Sequence, residues 1–202
     1  MTVTTFGGSY AYWHGLGTSK VWVGEQFTSS AELYQEYVTK TEVFVKKVGS
    51  PNGSLVCFLI DSGDNTLETL WTINATEITS TTGEWIGTTH TEEQLQGNYT
   101  LKFSYTGTYD SSNYIAVNVG APNQYDGSNS YSRLREGSTT SNNTDNDYLL
   151  RITHESTSGG GSGGGGSGGG EEEDPPSGSI SGDGGSTLAP EYAMKLNIGY
   201  IR

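Results

Sequence analysis

The chain has 202 residues and a formal net charge of −13, and only 16% of its residues are charged. Proteins that bind nucleic acid cluster Lys and Arg against the phosphates, so this acidic balance excludes nucleic acid as an expected partner. No apolar stretch approaches the length of a membrane span. Thr, Ser, Asn and Gly supply most of the polarity, while thirteen Tyr and four Trp supply apolar surface. This composition is typical of an all-β, turn-rich domain.

The first residues, Met1 to Phe6, lack the basic start and the apolar run of a secretion signal. The sequence therefore predicts either assembly in a cytoplasm or a leader that is removed before this numbering begins. Cys57 is the one cysteine of the chain. It lies in an apolar run and is expected to be a small buried residue without a disulfide.

Short strand candidates separated by turn residues follow one another from Tyr10 to Glu155. The candidates are 20–27, 38–48, 54–61, 66–73, 84–89, 98–105, 113–119 and 147–153. Pro and Gly in 49–53 predict a hairpin turn between the second and third candidates. Only 91–96 has a short helical pattern. About eight strands predict a two-sheet antiparallel jelly-roll sandwich over residues 1–156.

A set of short segments between residues 20 and 155 carries a resemblance to a known family. The segments are Gln26-Phe27, the run from Val43 to Val56, Trp85, Leu95 to Tyr99, Asn113-Tyr114 and Asp147 to Ile152. In these segments the chain resembles the jelly-roll domains called choice-of-anchor domains, which are similar to carbohydrate-binding modules and occur in prokaryotic surface and virion proteins. The resemblance includes no catalytic motif, so it implies a fold more than a function.

A low-complexity segment, 157–190, follows the predicted sandwich. Its Gly/Ser repeat is typical of a flexible coil, and about 35 residues of this kind span roughly 30 Å. The acidic run and the Pro-Pro pair that follow extend and solubilise it. The repeat also matches the linkers that protein engineers write, so a natural tether and an artificial fusion both stay open.

The last segment, 191–202, alternates large apolar residues with smaller or polar ones, which predicts a strand with one apolar face. The apolar positions are Tyr192, Met194, Leu196, Ile198 and Tyr200. A single strand is not stable alone, so it is expected to pair with a sheet edge. The edge can belong to its own domain or to another chain, and the sequence does not distinguish the two.

No catalytic motif is found. His14, His90 and His154 are far apart in the sequence, and no nucleophile elbow, paired-histidine metal motif or phosphate-binding loop is present. The chain is therefore expected not to be an enzyme.

Two turn segments offer closely spaced oxygen donors, which makes Ca²⁺ a candidate cofactor. Asp61 and Asp64 belong to the first segment, and Asp145 and Asp147 to the second. Asp, Asn and Gly also populate turns for conformational reasons, so a Ca²⁺ site and plain turns both stay open.

Aromatic residues among Gly, Ser and Asn are candidates for stacking on sugar rings. The candidates are Tyr12, Trp13, Tyr109 and Tyr125. The alternative is packing at the rim of the sandwich, which uses the same residue types.

Together these patterns predict a non-enzymatic structural or attachment protein on the surface of a prokaryotic virus particle, as a capsid decoration, turret or tail component. The C-terminal strand would anchor it to other copies or to other virion proteins, and host-surface glycans are further expected partners. Two alternatives are a cell-surface or extracellular filament subunit that uses donor-strand exchange, and a carbohydrate-binding module.

Overall fold

A computed structural model describes residues 1–7, 10–17, 20–120 and 129–155. In this part the chain forms thirteen strands and one short 3-10 turn, Ala75–Glu77, without an α-helix. The strands are β1 (Thr2–Phe6), β2 (Tyr10–Leu16), β3 (Lys20–Phe27), β4 (Tyr37–Val48), β5 (Ser54–Ile60), β6 (Thr66–Asn74), β7 (Glu84–Gln94), β8 (Tyr99–Tyr105), β9 (Tyr114–Gly120), β10 (Ser130–Glu136), β11 (Thr139–Asn143), β12 (Asp147–Tyr148) and β13 (Leu150–Glu155).

The strands form two antiparallel sheets. The larger sheet has seven strands in the order β1-β13-β4-β9-β12, with β2 also paired to β9 and β7 also paired to β4. The smaller sheet has six strands in the order β11-β10-β3-β8-β5-β6. The prediction of an all-β chain with two antiparallel sheets is therefore confirmed. The jelly-roll connectivity stays a prediction.

One hydrophobic core lies between the two sheets. The rings of Phe6 in the larger sheet and Phe27 in the smaller sheet meet edge to face, with centroids 5.4 Å apart. The indole nitrogen of Trp71, in the smaller sheet, donates a hydrogen bond to the carbonyl oxygen of Thr41, in the larger sheet, at 3.0 Å. Burial of aromatic and aliphatic side chains from both sheets is the main stabilising contribution to such a sandwich.

The predicted hairpin around 49–53 is wrong, although both of its strands exist. β4 pairs with β13, β7 and β9 in the larger sheet, whereas β5 pairs with β6 and β8 in the smaller sheet. The turn therefore crosses from one sheet to the other. Both strands have an apolar face, and each buries it against the same core from opposite sides, which a hairpin within one sheet would not allow.

The helical pattern at 91–96 is also wrong, because β7 continues through Gln94. Pairing with the first half of β4 overrides the weak local preference. The strands β1, β2, β10 and β11 were not among the candidates. β1 and β11 are rich in Thr, Ser and Asn, β10 contains three charged residues, and β2 mixes aromatic residues with Gly and His, so none of them has the clear apolar alternation that marks β8.

In the described ranges no helix is long and apolar enough to cross a membrane. The predicted linker, 157–190, and the predicted docking strand, 191–202, lie outside the described residues.

Candidate ligand-binding face

Three large aromatic side chains lie on the outer face of the larger sheet. Alternation along β4 sets this geometry: Val43 and Val45 are fully buried in the core, so Phe44 between them points away from it. Pairing of Phe44 with Trp85 in β7 places their side chains on the same face. Trp13 reaches this face from β2. We call Trp13, Phe44 and Trp85 the aromatic row.

The rings of the aromatic row are in contact. Trp13 and Phe44 are nearly parallel, with centroids 6.0 Å apart and an angle of 23° between their planes. Phe44 and Trp85 meet at 60°, with centroids 5.2 Å apart. All three side chains are half-buried. The row thus forms a continuous apolar strip that crosses the face of the sheet and keeps part of its surface in solvent.

A cationic side chain lies over each end of the row. The Lys46 ammonium is 4.7 Å from the Trp13 ring centroid, and the Arg151 guanidinium is 4.2 Å from that of Trp85. Such cation–π contacts hold the charged groups against the rings. Glu42, on the same face, lies 3.1 Å from Lys40 and 3.8 Å from Arg151. Lys46 is within ion-pair distance of no described carboxylate.

Two small or compact residues of β9 lie beneath the row. Ala116 and Asn118 alternate with the core residues Val117 and Val119, so they face outward, yet both are almost fully buried. Asn118 is the cross-strand partner of Trp13 and donates a hydrogen bond from its side-chain nitrogen to the carbonyl oxygen of Tyr12 at 3.3 Å. Compact residues at these positions leave space for the aromatic rings to lie across β9 and reach Phe44 on β4.

The turn before β7 packs against the row through Gly83. This residue has φ of +137°, and a Cβ built on it would lie 2.5 Å from the Phe44 ring and 3.3 Å from the Trp13 ring. The hydroxyl of Ser80 accepts the backbone N–H of Gly83 at 2.8 Å. The Lys47 N–H bonds to the carbonyl oxygen of Ser80 at 2.9 Å. Glycine is therefore required for this close approach, and the turn holds two of the three rings in place.

Of the four predicted glycan contacts, only Trp13 belongs to the row. Tyr12 is 41% exposed and its ring lies beside His14, at a centroid distance of 5.1 Å. Tyr109 packs against Tyr114, with centroids 5.6 Å apart. Tyr125 lies outside the described residues. The structure thus separates residues that the sequence grouped by composition alone.

Phe44, Trp85, Lys46 and Arg151 were not identified as binding residues from the sequence. The signal that was available is the alternation in Val43-Phe-Val-Lys46. It places one aromatic and one cation on the face opposite two valines, which is unusual for a face that only contacts water.

The first candidate calcium segment is a self-contained turn. One carboxylate oxygen of Asp61 accepts the backbone N–H groups of Gly63 and Asn65 at 2.8 and 2.9 Å. A hydrogen bond from the Asn65 side chain, followed by these two backbone bonds, lowers the pKa of Asp61. Asp64 faces away from this turn and pairs with Arg133 at 2.9 Å. The carboxylates of Asp61 and Asp64 therefore both accept hydrogen bonds from other groups of the protein.

The second candidate calcium segment splits in two. Asp145 is exposed, and its N–H bonds to the Asn143 side chain at 2.8 Å. Asp147 is fully buried in β12, opposite Gly120. Among the residues that the structure describes, no group of three or more His, Cys, Asp or Glu could hold a metal ion.

Each of the three histidines bonds to its own partners within the fold. The ring nitrogens of His90 lie 3.1 Å from the Thr41 hydroxyl and 2.7 Å from the Thr91 carbonyl oxygen. Burial lowers the pKa of His90. His154 lies between the Thr4 hydroxyl, at 3.1 Å, and the Glu36 carboxylate, at 3.0 Å.

Comparison with protein-family models, curated proteins and solved structures finds no match to this chain. A function is therefore argued from the residues of the face itself. The described fold and face define a β-sandwich that carries an aromatic, cation-flanked strip on the outside of its larger sheet.

Proposed function

We propose that this chain is a non-enzymatic attachment protein whose sandwich domain binds glycans through the aromatic row. The observation that carries this proposal is the contact geometry of Trp13, Phe44 and Trp85 on a sheet face that points away from the core. The ligand is a sugar chain that lies across β2, β9, β4 and β7.

The physical basis is the amphipathic character of sugar rings. One face of a pyranose presents C–H groups that pack on a flat aromatic ring, while its hydroxyl groups point to the sides and seek hydrogen bonds. Trp and Phe provide the flat surface, and Lys and Arg at the rim provide donors. The rigid turn at Gly83 and the compact residues beneath the rings fix the strip before the ligand arrives, which lowers the entropic cost of binding.

The flanking cations favour glycans that carry carboxylate groups, such as uronic or sialic acids. Lys46 lies over Trp13 and is within ion-pair distance of no described carboxylate, so its charge is available to a ligand. The chain as a whole has a net charge of −13, so a positive charge that faces solvent on this strip is a local exception. A carboxylate near Lys46 would form a charge-assisted hydrogen bond that a neutral sugar does not offer.

The experiment is a glycan array that compares acidic and neutral sugar chains, probed with the wild-type chain and four variants. Trp13→Ala and Trp85→Ala are expected to reduce binding at least tenfold, because each removes one stacking surface. Lys46→Gln is expected to reduce binding to acidic glycans more than to neutral ones. Tyr12→Ala is the matched control: it removes an exposed aromatic next to Trp13 in the sequence but outside the row.

Equal binding by wild type, Trp13→Ala and Trp85→Ala would refute the proposal. Binding that is lost in all four variants, Tyr12→Ala included, would also refute it, because the effect would then not depend on the row. Circular dichroism and thermal unfolding of each variant show that the fold is retained.

The setting of this attachment is proposed from the sequence. The resemblance to domains of prokaryotic surface and virion proteins and the tethered C-terminal pattern support a place on the surface of a prokaryotic virus particle. The sandwich would point outward, and 191–202 would anchor it to other copies or to other virion proteins. Deletion of 191–202 is expected to abolish incorporation into particles while glycan binding by the isolated chain is kept. Unchanged incorporation would contradict the anchoring role.

A further inference from the structure

Three polar side chains meet beneath the surface in the order hydroxyl, imidazole, carboxylate. Nε2 of His154 lies 3.1 Å from the hydroxyl oxygen of Thr4, and Nδ1 of the same ring lies 3.0 Å from the carboxylate of Glu36. Thr4 and His154 are 8% and 7% exposed, so water competes little for these hydrogen bonds. We call Thr4, His154 and Glu36 the Thr4 triad.

The chemistry of the three groups sets the direction of both hydrogen bonds. An ionised carboxylate only accepts, so Nδ1 of His154 carries the proton of its bond to Glu36. In the neutral ring Nε2 then has a lone pair, and the Thr4 hydroxyl donates to it. A hydroxyl within hydrogen-bond distance of a base that a carboxylate orients is the arrangement that activates a nucleophile.

The pairing of β1 with β13 sets the contact between Thr4 and His154. Thr2 is the direct partner of His154, and Thr4, two residues further along β1, is its diagonal neighbour on the same face. Such neighbours are within reach of a long side chain. The pairing of β13 with β4 is regular up to Thr153 and shifts at His154, where Thr39 is an extra residue. Bulges of this kind re-aim side chains and are common beside active sites.

The segment before β4 presents the Glu36 carboxylate. Gln35 has φ of +65°, which is uncommon for a residue other than Gly, Asn or Asp. The Gln35 N–H donates to the carbonyl oxygen of Leu95 at 2.7 Å, and the Leu95 N–H donates to that of Glu36 at 3.0 Å. These bonds hold the backbone in a sparsely populated conformation directly before Glu36. Strain of this kind clusters at sites where it serves function.

His90 provides a contrast within the same chain. Its Nε2 is also 3.1 Å from a threonine hydroxyl, that of Thr41, but its Nδ1 bonds to the carbonyl oxygen of Thr91. A neutral carbonyl orients the ring, yet it stabilises an imidazolium less than a carboxylate does. Thr41 is also fully buried. Of these two threonine–histidine pairs, the pair formed by Thr4 is therefore the one built to lose a proton.

We propose that the Thr4 triad activates the Thr4 hydroxyl to accept an acyl group from an activated ester. Oγ1 of Thr4 attacks the carbonyl carbon of the ester, and Nε2 of His154 takes the hydroxyl proton. The bond between the carbonyl carbon and the leaving oxygen breaks, and the leaving group takes this proton from His154. The products are a Thr4 ester and one alcohol or phenol, so no further reactant is needed.

Glu36 acts as a positioning residue in this reaction. It keeps the proton on Nδ1, so that Nε2 faces the hydroxyl as a base, and it stabilises the imidazolium that forms when the proton is transferred. The acyl group stays on the chain, which makes the reaction a covalent modification. Thr4 faces the core side of the larger sheet, as Phe6 does, whereas the aromatic row lies on the outer face. The reaction is therefore independent of glycan binding.

The experiment treats the full chain with p-nitrophenyl acetate in mildly alkaline buffer, in which histidine is neutral. Tandem mass spectrometry of the digested chain locates the acetyl group. Amines also react with this ester, but hydroxylamine removes an acetyl ester from threonine and leaves an acetyl amide on lysine or Met1. The expected result is a hydroxylamine-sensitive acetyl group on Thr4. Thr5 is the internal control, because its hydroxyl is exposed and has no described bond to a histidine.

Variants of the triad separate activation from access. Thr4→Val removes the hydroxyl and is expected to abolish the acetyl ester at this position, whereas Thr4→Ser keeps a hydroxyl and is expected to retain it. His154→Gln is expected to lower the rate of acetylation of Thr4 by at least about a hundredfold, because the base is lost.

The role of Glu36 is tested by a change of charge at constant shape. Glu36→Gln keeps the size of the side chain and an oxygen that accepts the Nδ1 proton, so a purely structural role survives it. The rate of acetylation of Thr4 is nevertheless expected to fall at least about tenfold. Glu155→Gln, which removes an exposed carboxylate next to His154 in the sequence, is the matched control and is expected to leave the rate within about twofold of wild type. Circular dichroism shows that each variant is folded.

A folded wild-type chain in which Thr4 is not acetylated would overturn the proposal. So would acetylation of Thr5 at the same rate as Thr4, because exposure rather than the triad would then govern the reaction. Acetylation of Thr4 that is unchanged in folded His154→Gln or Glu36→Gln would equally contradict the roles given to these residues. Glycan is absent from every measurement, so none of these results bears on the aromatic row.

Discussion

The Nδ1 atom of His14 lies 2.8 Å from the hydroxyl oxygen of Tyr148. This contact joins β2 to β12 at the rim of the core, where Tyr148 is almost fully buried. Burial, followed by the nearby positive charge of Lys20, lowers the pKa of His14 to about 4. Burial also raises the pKa of Tyr148. Both groups are therefore neutral in the folded chain at neutral pH, and the hydrogen bond joins two uncharged partners.

Stability is expected to fall in acid because of His14. Its pKa is about 4 when folded against 6.5 for an unperturbed histidine, so the unfolded chain binds a proton more readily. The contribution of His14 is complete above about pH 6.5 and is lost as the pH falls towards about 4. Since the ring is partly exposed, the loss is about 1–2 kcal/mol rather than the full value of the shift.

The measurement for His14 is chemical denaturation between pH 4 and pH 7.5 on wild type and His14→Gln. The free energy of unfolding of the variant is expected to fall less than that of wild type as the pH is lowered across this range. The pH dependence caused by all other titrating groups is the same in both proteins and cancels in the comparison. Proton NMR of the wild-type imidazole provides a direct check. A His14 ring that titrates near 6.5 in the folded chain would contradict the assignment.

Trp71→Phe is expected to destabilise the sandwich by about 1–3 kcal/mol. The substitution removes the hydrogen bond from the indole to the Thr41 carbonyl oxygen between the sheets and leaves a smaller ring in the core. Trp85→Phe is the control, because Trp85 is half-buried on the outer face and its loss is expected to cost less than about 1 kcal/mol. Urea denaturation measures both. Equal costs would show that the hydrogen bond between the sheets contributes little.

Asp64→Asn is expected to cost about 1–2 kcal/mol. Arg133 is 7% exposed, lies over the Trp22 ring and has Asp64 as its near carboxylate at 2.9 Å. The substitution leaves this buried cation without its counter-charge, although partial exposure of Asp64 reduces the penalty. Asparagine tolerates the positive φ of 64° at this position, so the backbone is not the cause.

Glu136→Gln is the matched control for Asp64→Asn. It breaks an ion pair of similar length, 2.8 Å to Lys20, but the Glu136 side chain is 49% exposed. Its expected cost is much smaller than that of Asp64→Asn, because solvent screens exposed pairs. Thermal unfolding of the two variants in low salt provides the comparison. A larger loss in Glu136→Gln than in Asp64→Asn would contradict the role given to burial.

The sequence predicted the strands with clear alternation well. β3 has the predicted bounds, and β8 begins one residue after the predicted start and ends at the predicted residue. Leu101, Phe103 and Tyr105 alternate along β8 and are buried. Period-two burial is a local property, so local pattern is enough to find it. The predicted hairpin at 49–53 failed because choice of partner strand is not local: the same turn residues serve a hairpin and a crossing between sheets.

The candidate site was only partly predictable for the same reason. Trp13 was recognised from its surroundings in the sequence, but Phe44 and Trp85 become its neighbours only through the pairing of β4 with β7 and the path of β2 across β9. Arg151 joins them from the far end of the described chain. Four strands that are far apart in the sequence build this surface, so the spacing of residues along the chain does not predict it.

The pairing of β1 with β13 determines when the larger sheet can be completed during synthesis of the chain. β1 is the first described strand and β13 is the last one, so Thr2 cannot pair with His154 until nearly all of the described residues have been synthesised. Until then the uncharged strand of residues 2–6 has neither edge covered. Contacts of such sequence separation form slowly, and unpaired strands invite aggregation in the meantime. We therefore expect the yield of folded chain during synthesis to depend on how long β1 is kept from other nascent copies.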